Sequence, residues 1–394
     1  MEDARPAPQD ANAPLRLTPL DAACATLRAL IPCPVPARTL PLEVAAAGGG
    51  VLARDLVAPA PLPPTAAARR DGWAVAAEDT LGASPYSPAP LPREPVRVAI
   101  GAALPPGTDA VLAPFDLAAE AGFAQALQAV AAGDGTRAAG EEAEAGALLR
   151  AAGERLRPQD IAALAAFGIA TIELRQARIA WIPVGDELVA APMHDRLGAM
   201  AAAAAARDGA TLARLPPVAD APAAIAAALR AAAGSGEHDM LLLVGGTGDG
   251  PDDRSAAGLA AAGLLHVNGI GMRPGMRAGI GACDGRPVLM LPGSVEDVLA
   301  AWVLLVRPAL AALTGGASPP AQRARLTRKV VSTVGLAELA LLATTGAGEV
   351  APLATGDLPL RAWLAADRAL LVPAATEGHE AGSAIVVAPL WWTP

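Results

Sequence analysis

The sequence predicts a multidomain α/β fold: a region with a parallel sheet and helices on both faces, joined to β-rich segments. Three observations carry this. From residue 177 to 316, buried-type apolar runs alternate with helical patterns, the signature of strand–helix–strand crossovers. From Asp71 to about residue 139, and again from 320 to 394, the pattern is one of short strands broken by turn residues. With 394 residues the chain is also long for one core, and roughly two to four domains are expected.

"TPLDAACATLRALI" (18–31) begins with a threonine cap and sets Ala22, Ala23, Leu27 and Leu30 on one stripe, which predicts a helix. "PVRVAIG" and "DAVLAPF" read as strands, separated by turn signals such as "LPPGTD" and "AGDGTR". "LRPQDIAALAAFGIATIEL" has helical spacing to Gly168 and runs on into a short strand. "ARIAWIPV", "DMLLLVGG" and "RPVLMLPG" are continuous apolar runs of the kind a sheet buries on both faces. Helical patterns separate them, including "LGAMAAAAAARDG", residues 222–233 and "SVEDVLAAWVLLVRPALAAL". Beyond residue 320, "ARLTRKVVSTV", "LRAWLAA", "ALLVPAA" and "AIVVAPLWW" read as short strands.

Composition narrows the function classes. Hydrophobic residues make up 53% of the chain and aromatic residues only 3%, so Leu, Val, Ile and Ala build the cores. A net charge of −9 and the lack of any sizeable Lys/Arg cluster argue against a nucleic-acid partner. Cys24, Cys33 and Cys283 are odd in number and widely spaced, which fits a reducing compartment rather than a disulfide framework or a thiolate zinc site. His194, His238, His266 and His379 lack paired spacing. The opening "MEDARPAPQDANAP" is acidic and proline-rich, unlike a signal peptide. "VLAAWVLLV" (298–306), bracketed by Asp297 and Arg307-Pro308, is half the length of a membrane span. A cytoplasmic protein that engages no membrane is the expectation.

The chemistry gathers where apolar strands run into glycine-rich loops: Gly185-Asp186-Glu187-Leu188, Gly245-Gly246-Thr247-Gly248-Asp249-Gly250, and Pro292-Gly293-Ser294. In an open parallel sheet, ligands sit beyond the carboxyl ends of the strands. Glycines there let backbone N–H groups approach a phosphate, and the following helix N-terminus favours an anion. Neither the dinucleotide fingerprint nor a Gly-Lys-Ser/Thr loop is present. Asp186, Glu187, Asp249, Asp252 and Asp253 border these loops. Hard oxygen ligands beside bound phosphate point to Mg²⁺; the competing reading is that these carboxylates cap helices and stay solvated.

The order of "GGGVLARDLVAPAPLPP", "RRDGWAV", "GAALPPGTDAVL", "VGDEL", "GGTGDGPDD", "RPGMR" and "PVLMLPG" resembles the molybdopterin molybdenumtransferase family, which includes a domain of gephyrin, over residues 15 to 394. The resemblance implies four domains: a discontinuous one at 15–66 and 140–176, an inserted β-rich one at 67–139, an α/β/α molybdopterin-binding one at 177–316, and a C-terminal β-barrel-like one at 320–394. It also implies a homodimer whose active site lies between two subunits, and insertion of molybdate into adenylylated molybdopterin with Mg²⁺ and release of AMP.

Carried over residue by residue, Asp71-Gly72-Trp73-Ala74 stands for the family's Asp-Gly-Tyr-Ala, preceded here by Ala68-Arg69-Arg70. Ile100 replaces the threonine of the next motif, Gly248 a serine, and Ser294-Val295 an Asn-Pro. Where the family tends to have three lysines, this chain has Gly269, Arg273 and Met276, with Arg277 one place further on. The resemblance implies Glu187 and Asp253 at Mg²⁺, Arg273 at developing charge and Asp71 reaching in from the partner subunit. Asp71 has an equally simple alternative as a turn-holder. The substrate cradle is expected from Gly185, Asp186, Asp220, Gly245, Gly246, Thr247, Gly250, Pro292, Gly293 and Ser294. Three functions follow: the transferase itself, a paralogue that binds molybdopterin or finished cofactor and delivers it to a molybdoenzyme, or a ligand-free dimeric scaffold.

Overall fold

A computed structural model describes residues 16–48, 50–120, 123–248, 254–317 and 320–390. Their contacts divide them into two compact units. One comprises the chain up to Arg54, Ala152–Ala162 and everything from Ala170 onward; the other comprises Asp55–Ala151 and Ala163–Ile169.

The larger unit is built on a six-stranded sheet in the order Ala210–Arg214, Ala177–Pro183, Met240–Val244, Arg286–Leu291, Gly279–Cys283, Leu264–Asn268. The first four strands are parallel, as the alternating pattern predicts. Side chains alternate between faces along a strand, and the cores follow that rule. Ile179, Trp181, Leu242, Val244, Leu289 and Leu291 enter one core; Ala180, Ile182, Leu241, Leu243, Val288 and Met290 enter the other. The first core is covered by the helices Leu20–Ala29, Leu197–Arg207 and the long helix from Val295, the second by Pro222–Gly234 and Ser255–Ala262.

The last two strands are antiparallel and fall where the sequence pattern suggested only a loop and a helix. Glycine hides them from an apolar count. A Cβ on Gly279 would stand 2.8 Å from the Val267 carbonyl oxygen, and one on Gly281 would stand 2.3 Å from the Leu264 carbonyl oxygen. Close backbone approach requires glycine at these positions. Thr18 does not cap the first helix either: with Pro19 it pairs in parallel with Ile270–Gly271, and the helix starts at Leu20 without a side-chain cap.

The helix expected from "SVEDVLAAWVLLVRPALAAL" is present as one helical stretch, Val295–Thr314, 20 residues long, so the apolar span is longer than the 298–306 run taken as half a membrane span. Proline inside a helix loses a donor and crowds the carbonyl four residues back. A π turn over Trp302–Val306, with the Arg307 N–H donating to the Trp302 carbonyl, accommodates it. The Leu304 carbonyl left without that donor accepts from Cys24 Sγ at 3.9 Å. By length and composition this helix could cross a membrane, but 72% of its apolar window is buried inside the fold, as in a core helix.

The C-terminal strands form a closed barrel: Ala337–Gly346, Glu349–Thr355, Gln322–Leu326, Ala384–Pro389 and Arg368–Val372, with the last pairing back to the first. Its interior holds Leu326, Ala340, Leu342, Val350, Leu370, Val372 and Val387. "LRAWLAA", expected as a strand, is instead the helix Leu360–Ala365. Pro359 presets its start at φ −60°, and the adjacent residues Ala362 and Trp363 are both buried, which alternation does not allow.

The smaller unit is made of short antiparallel strands. The central sheet runs Val96–Val98, Gly72–Val75, Ala110–Leu112, and a second runs Leu117–Glu120, Phe123–Ala126, Ala89–Pro90. Both strands expected from "PVRVAIG" and "DAVLAPF" are present.

Candidate functional site

Three neighbouring parallel strands end at one edge of the sheet, and each runs into one of the glycine-rich loops. Together the loops line a cavity of about 670 Å³. Gly185, Glu187, Asp220, Gly245, Gly246, Thr247, Pro292, Gly293 and Ser294, all expected as ligand-cradling or metal-holding residues, are on its wall. Gly250 and Asp253, along with Asp249 and Asp252, lie outside the described residues.

Backbone geometry explains why glycine occupies the centre of this wall. Gly245 sits at φ +100°, and a Cβ there would be 2.5 Å from the Val184 carbonyl oxygen. Gly246, at φ +59°, would place a Cβ 2.9 Å from Ser255 Oγ and 3.3 Å from Asp220 Oδ1. The loop is pinned on both sides. Gly245 N–H donates to the Leu291 carbonyl at 3.0 Å, and Ser255 Oγ donates to the Gly245 carbonyl at 2.7 Å. Gly293 comes within 3.6 Å of the Gly245 α-carbon, reckoned from where its own Cβ would be, so the second and third loops touch.

The carboxylates divide by their commitments. Asp186 and Asp220 lock two loops reciprocally: Asp186 N–H donates to Asp220 Oδ2 at 2.9 Å and Asp220 N–H to Asp186 Oδ1 at 3.2 Å. Asp297 accepts from Gly275 N–H at 2.7 Å and from Ser294 Oγ at 2.6 Å. Ser294 is also the N-cap of the long helix, its Oγ accepting from Asp297 N–H at 3.1 Å. Asp195 pairs with Arg214 at 2.9 Å. Glu187 is different: exposed on the short helix Asp186–Ala190, its carboxylate has no partner among the described residues.

The cations are arranged otherwise than the sequence suggested. Arg273, expected at developing charge, is not on the cavity wall; its Nη1 lies 3.5 Å from Oε1 of Glu338, a buried carboxylate of the barrel. Arg277 lines the cavity in its place, as do His194 and Arg196. Sequence reasoning missed the segment 194–197 and Asp297. The available signal was position: the chain between Gly-Asp-Glu-Leu and the next helix must lie at the same sheet edge.

In the smaller unit, Asp71 is exposed and its Oδ1 accepts from Ile100 N–H at 2.8 Å. Arg69 is ion-paired with Glu141, and Arg70 Nη2 donates to the Val111 carbonyl at 2.6 Å. Trp73 packs beside the small core of Val75, Leu112 and Ala126, with the Arg97 guanidinium 5.8 Å from its ring centre.

An open, largely parallel sheet whose glycine loops close around one cavity, carried with a closed barrel and a β-rich unit, defines a multidomain α/β ligand-binding protein. Residues 18–168 match the MoeA N-terminal region (domain I and II), and residues 180–312 match a probable molybdopterin binding domain. Molybdopterin molybdenumtransferase 2 of Mycobacterium tuberculosis is 29% identical over 334 residues, covering 76% of this chain and 81% of the relative. The molybdopterin molybdenumtransferase of Haemophilus influenzae is 25% identical over 303 residues, covering 72% and 74%. A crystal structure of a molybdopterin biosynthesis MoeA protein from Pyrococcus horikoshii superposes with a TM-score of 0.68 at 26% identity, over 95% of this chain and 99% of the other. The chain belongs to the molybdopterin molybdenumtransferase (MoeA) family.

Proposed function

We propose that the protein inserts molybdate into adenylylated molybdopterin and releases AMP, a late step of molybdenum cofactor assembly. The observation that carries this reading is the cavity at the sheet edge: its three loops all fall inside the region matched by the molybdopterin-binding family model. The close-packed glycines leave the backbone of 245–248 open to a phosphate, which amide groups recognise without a side chain. Ser294 and Asp297 fix the third loop against the helix, so the cradle is built before the ligand arrives.

Mg²⁺ is part of the proposal. It is typically held by one or two carboxylates together with substrate phosphates and water. No group of three or more metal-ligating side chains stands together among the described residues, but Glu187 offers a hard, uncommitted carboxylate on the wall. Glu187 and Asp253 would hold the ion, which would neutralise phosphate and molybdate oxygens. Asp71 is assigned to the same site from the partner subunit of a homodimer. The four-domain division inferred above is part of the proposal, supported by the description of the first matched region as two domains. So is a cytoplasmic location, with the product passing to a molybdoenzyme.

A second reading, a paralogue that binds the pterin without inserting metal, is favoured by one feature. Ile100, at the position of a family threonine, is 70% exposed and has no hydroxyl to offer an oxyanion. One assay separates the two: purified protein with adenylylated molybdopterin, molybdate and Mg²⁺, with AMP release measured. The transferase releases AMP in a molybdate-dependent way; tight binding without AMP leaves only the second reading.

A further inference from the structure

Two charged side chains on the cavity wall make no hydrogen bond or ion pair with any described residue: the Glu187 carboxylate and the Arg196 guanidinium. The first suits a cation. The second has not been given a role by the motifs, because it follows His194-Asp195 outside all of them.

The structure fixes where Arg196 can act. Its neighbour Asp195 is clamped from two directions: Oδ2 receives Arg214 Nη2 at 2.9 Å, and Oδ1 accepts the Gly198 N–H at 2.9 Å. Arg214 Nη2 also donates to the Asp195 carbonyl at 3.2 Å. Only 7% of the Asp195 side chain is exposed, although 45% of the Arg214 side chain is, so the carboxylate is the buried end of this anchor. The turn 192–197 is therefore stapled to the sheet strand that carries Arg214. Arg196 stands on it at the start of the helix Leu197–Arg207, with its side chain exposed on the cavity wall. Asp195, the nearest carboxylate in sequence, is already neutralised by Arg214, so nothing on that turn competes for the Arg196 charge.

We infer that Arg196 holds a phosphate of the bound ligand and sets the cavity's preference for a phosphorylated over a phosphate-free pterin. The guanidinium presents a planar fork of donors that matches two phosphate oxygens, stronger and more directional than an ammonium. With Arg273 at Glu338, Arg196 joins Arg277 as an arginine on the cavity wall. The inference deepens the molybdopterin reading and rests on it for the identity of the ligand, but the phosphate contact can be tested separately.

Wild-type protein, Arg196→Ala, Arg196→Lys and Arg273→Gln are titrated with adenylylated molybdopterin and, separately, with inorganic pyrophosphate, at low and high salt. Because Arg196 is exposed, its variants keep the wild-type melting temperature and circular dichroism. Arg196→Ala is expected to weaken both ligands roughly 10- to 100-fold, the range of a hydrogen-bonded charged contact, and to flatten the salt dependence. Arg196→Lys recovers part of the loss, and Arg273→Gln stays within about twofold of wild type. Unchanged affinity for both ligands in Arg196→Ala overturns the assignment, as does a loss confined to the pterin with pyrophosphate unaffected. Pyrophosphate binding that depends on Arg196, with no pterin binding by wild type, upholds the phosphate contact and removes the pterin reading. Wild-type protein that binds neither ligand removes both.

Discussion

Replacing Gly245 with alanine tests whether the cavity wall is built as described. Two costs add. At φ +100° a residue with a Cβ is held in a sparsely populated region, at about 1–3 kcal/mol. The new methyl would also lie 2.5 Å from the Val184 carbonyl oxygen, inside contact distance of a backbone atom. That oxygen cannot swing away as a flexible side chain would, because the Gly185 N–H of the same peptide unit is bonded to the Val218 carbonyl at 2.9 Å. Relieving the clash adds about 1 kcal/mol or more, in line with small overpacking changes, for a total of roughly 2–4 kcal/mol. In a unit of this size each kcal/mol shifts the midpoint by about 2–4 °C, so melting should fall by roughly 4–16 °C. Gly293→Ala is the matched control: its nearest contact would be the Gly245 α-carbon at 3.6 Å, an ordinary van der Waals distance. Thermal melts followed by circular dichroism, with a pterin titration below the transition, read both effects. A Gly245→Ala protein that melts with wild type and binds pterin equally well would falsify the account of this loop.

Three other outcomes follow from the geometry. Ser294→Ala removes the N-cap of the long helix and should cost about 1 kcal/mol in urea unfolding, with weaker pterin binding because Asp297 loses the same partner. Asp208 is 1% exposed, accepts from Trp302 Nε1 at 2.7 Å and lies 3.4 Å from Arg307 Nε and 3.5 Å from Arg155 Nη1. Asp208→Ala should destabilise by about 3–5 kcal/mol, as removal of one member of a buried ion cluster does, and a midpoint near wild type would contradict it. Burial draws the His238 pKa below 6.5, so the unfolded chain takes up a proton more readily than the folded one. Stability should therefore drop as pH falls from 6.5 through the folded value, with a shallower drop in His238→Gln, measured as melting temperature against pH.

The sheet was legible because its central strands are unbroken apolar runs, Met240–Val244 above all, each buried on both faces. The antiparallel pair Leu264–Asn268 and Gly279–Cys283 was not, since its glycines answer to backbone proximity rather than to apolar pattern. Short apolar stretches are ambiguous between helix and strand, and "LRAWLAA" fell on the wrong side because its buried pair, Ala362 and Trp363, is consecutive. The glycine loops of the site were readable for a physical reason: a strand end followed by glycine marks a place where backbone meets ligand. Arg196 was unreadable because its position depends on Asp195 meeting Arg214, a pairing between residues 19 apart that no local pattern encodes.

Charge is where a sequence motif and a site diverge most. Arg69, Arg70 and Arg273 each sit beside a family motif, and by count alone each could stand in for a missing lysine. Their partners decide the matter. Arg69 and Glu141 are both substantially exposed, so their pair contributes little to stability, yet it occupies the guanidinium within its own unit. Arg70 donates to a main-chain carbonyl beside the Asp71 turn, and Asp71 itself accepts from Ile100 N–H. The turn at 69–72 is thus internally satisfied, and Asp71 has a structural task whether or not it also meets a ligand. Arg273 neutralises Glu338, whose burial would otherwise be costly. A cation that compensates a buried carboxylate cannot be lent to a substrate without exposing that cost. Compensation for lost lysines therefore falls to the arginines on the cavity wall, Arg277 and the Arg196 of the stapled turn, rather than to Arg69, Arg70 or Arg273.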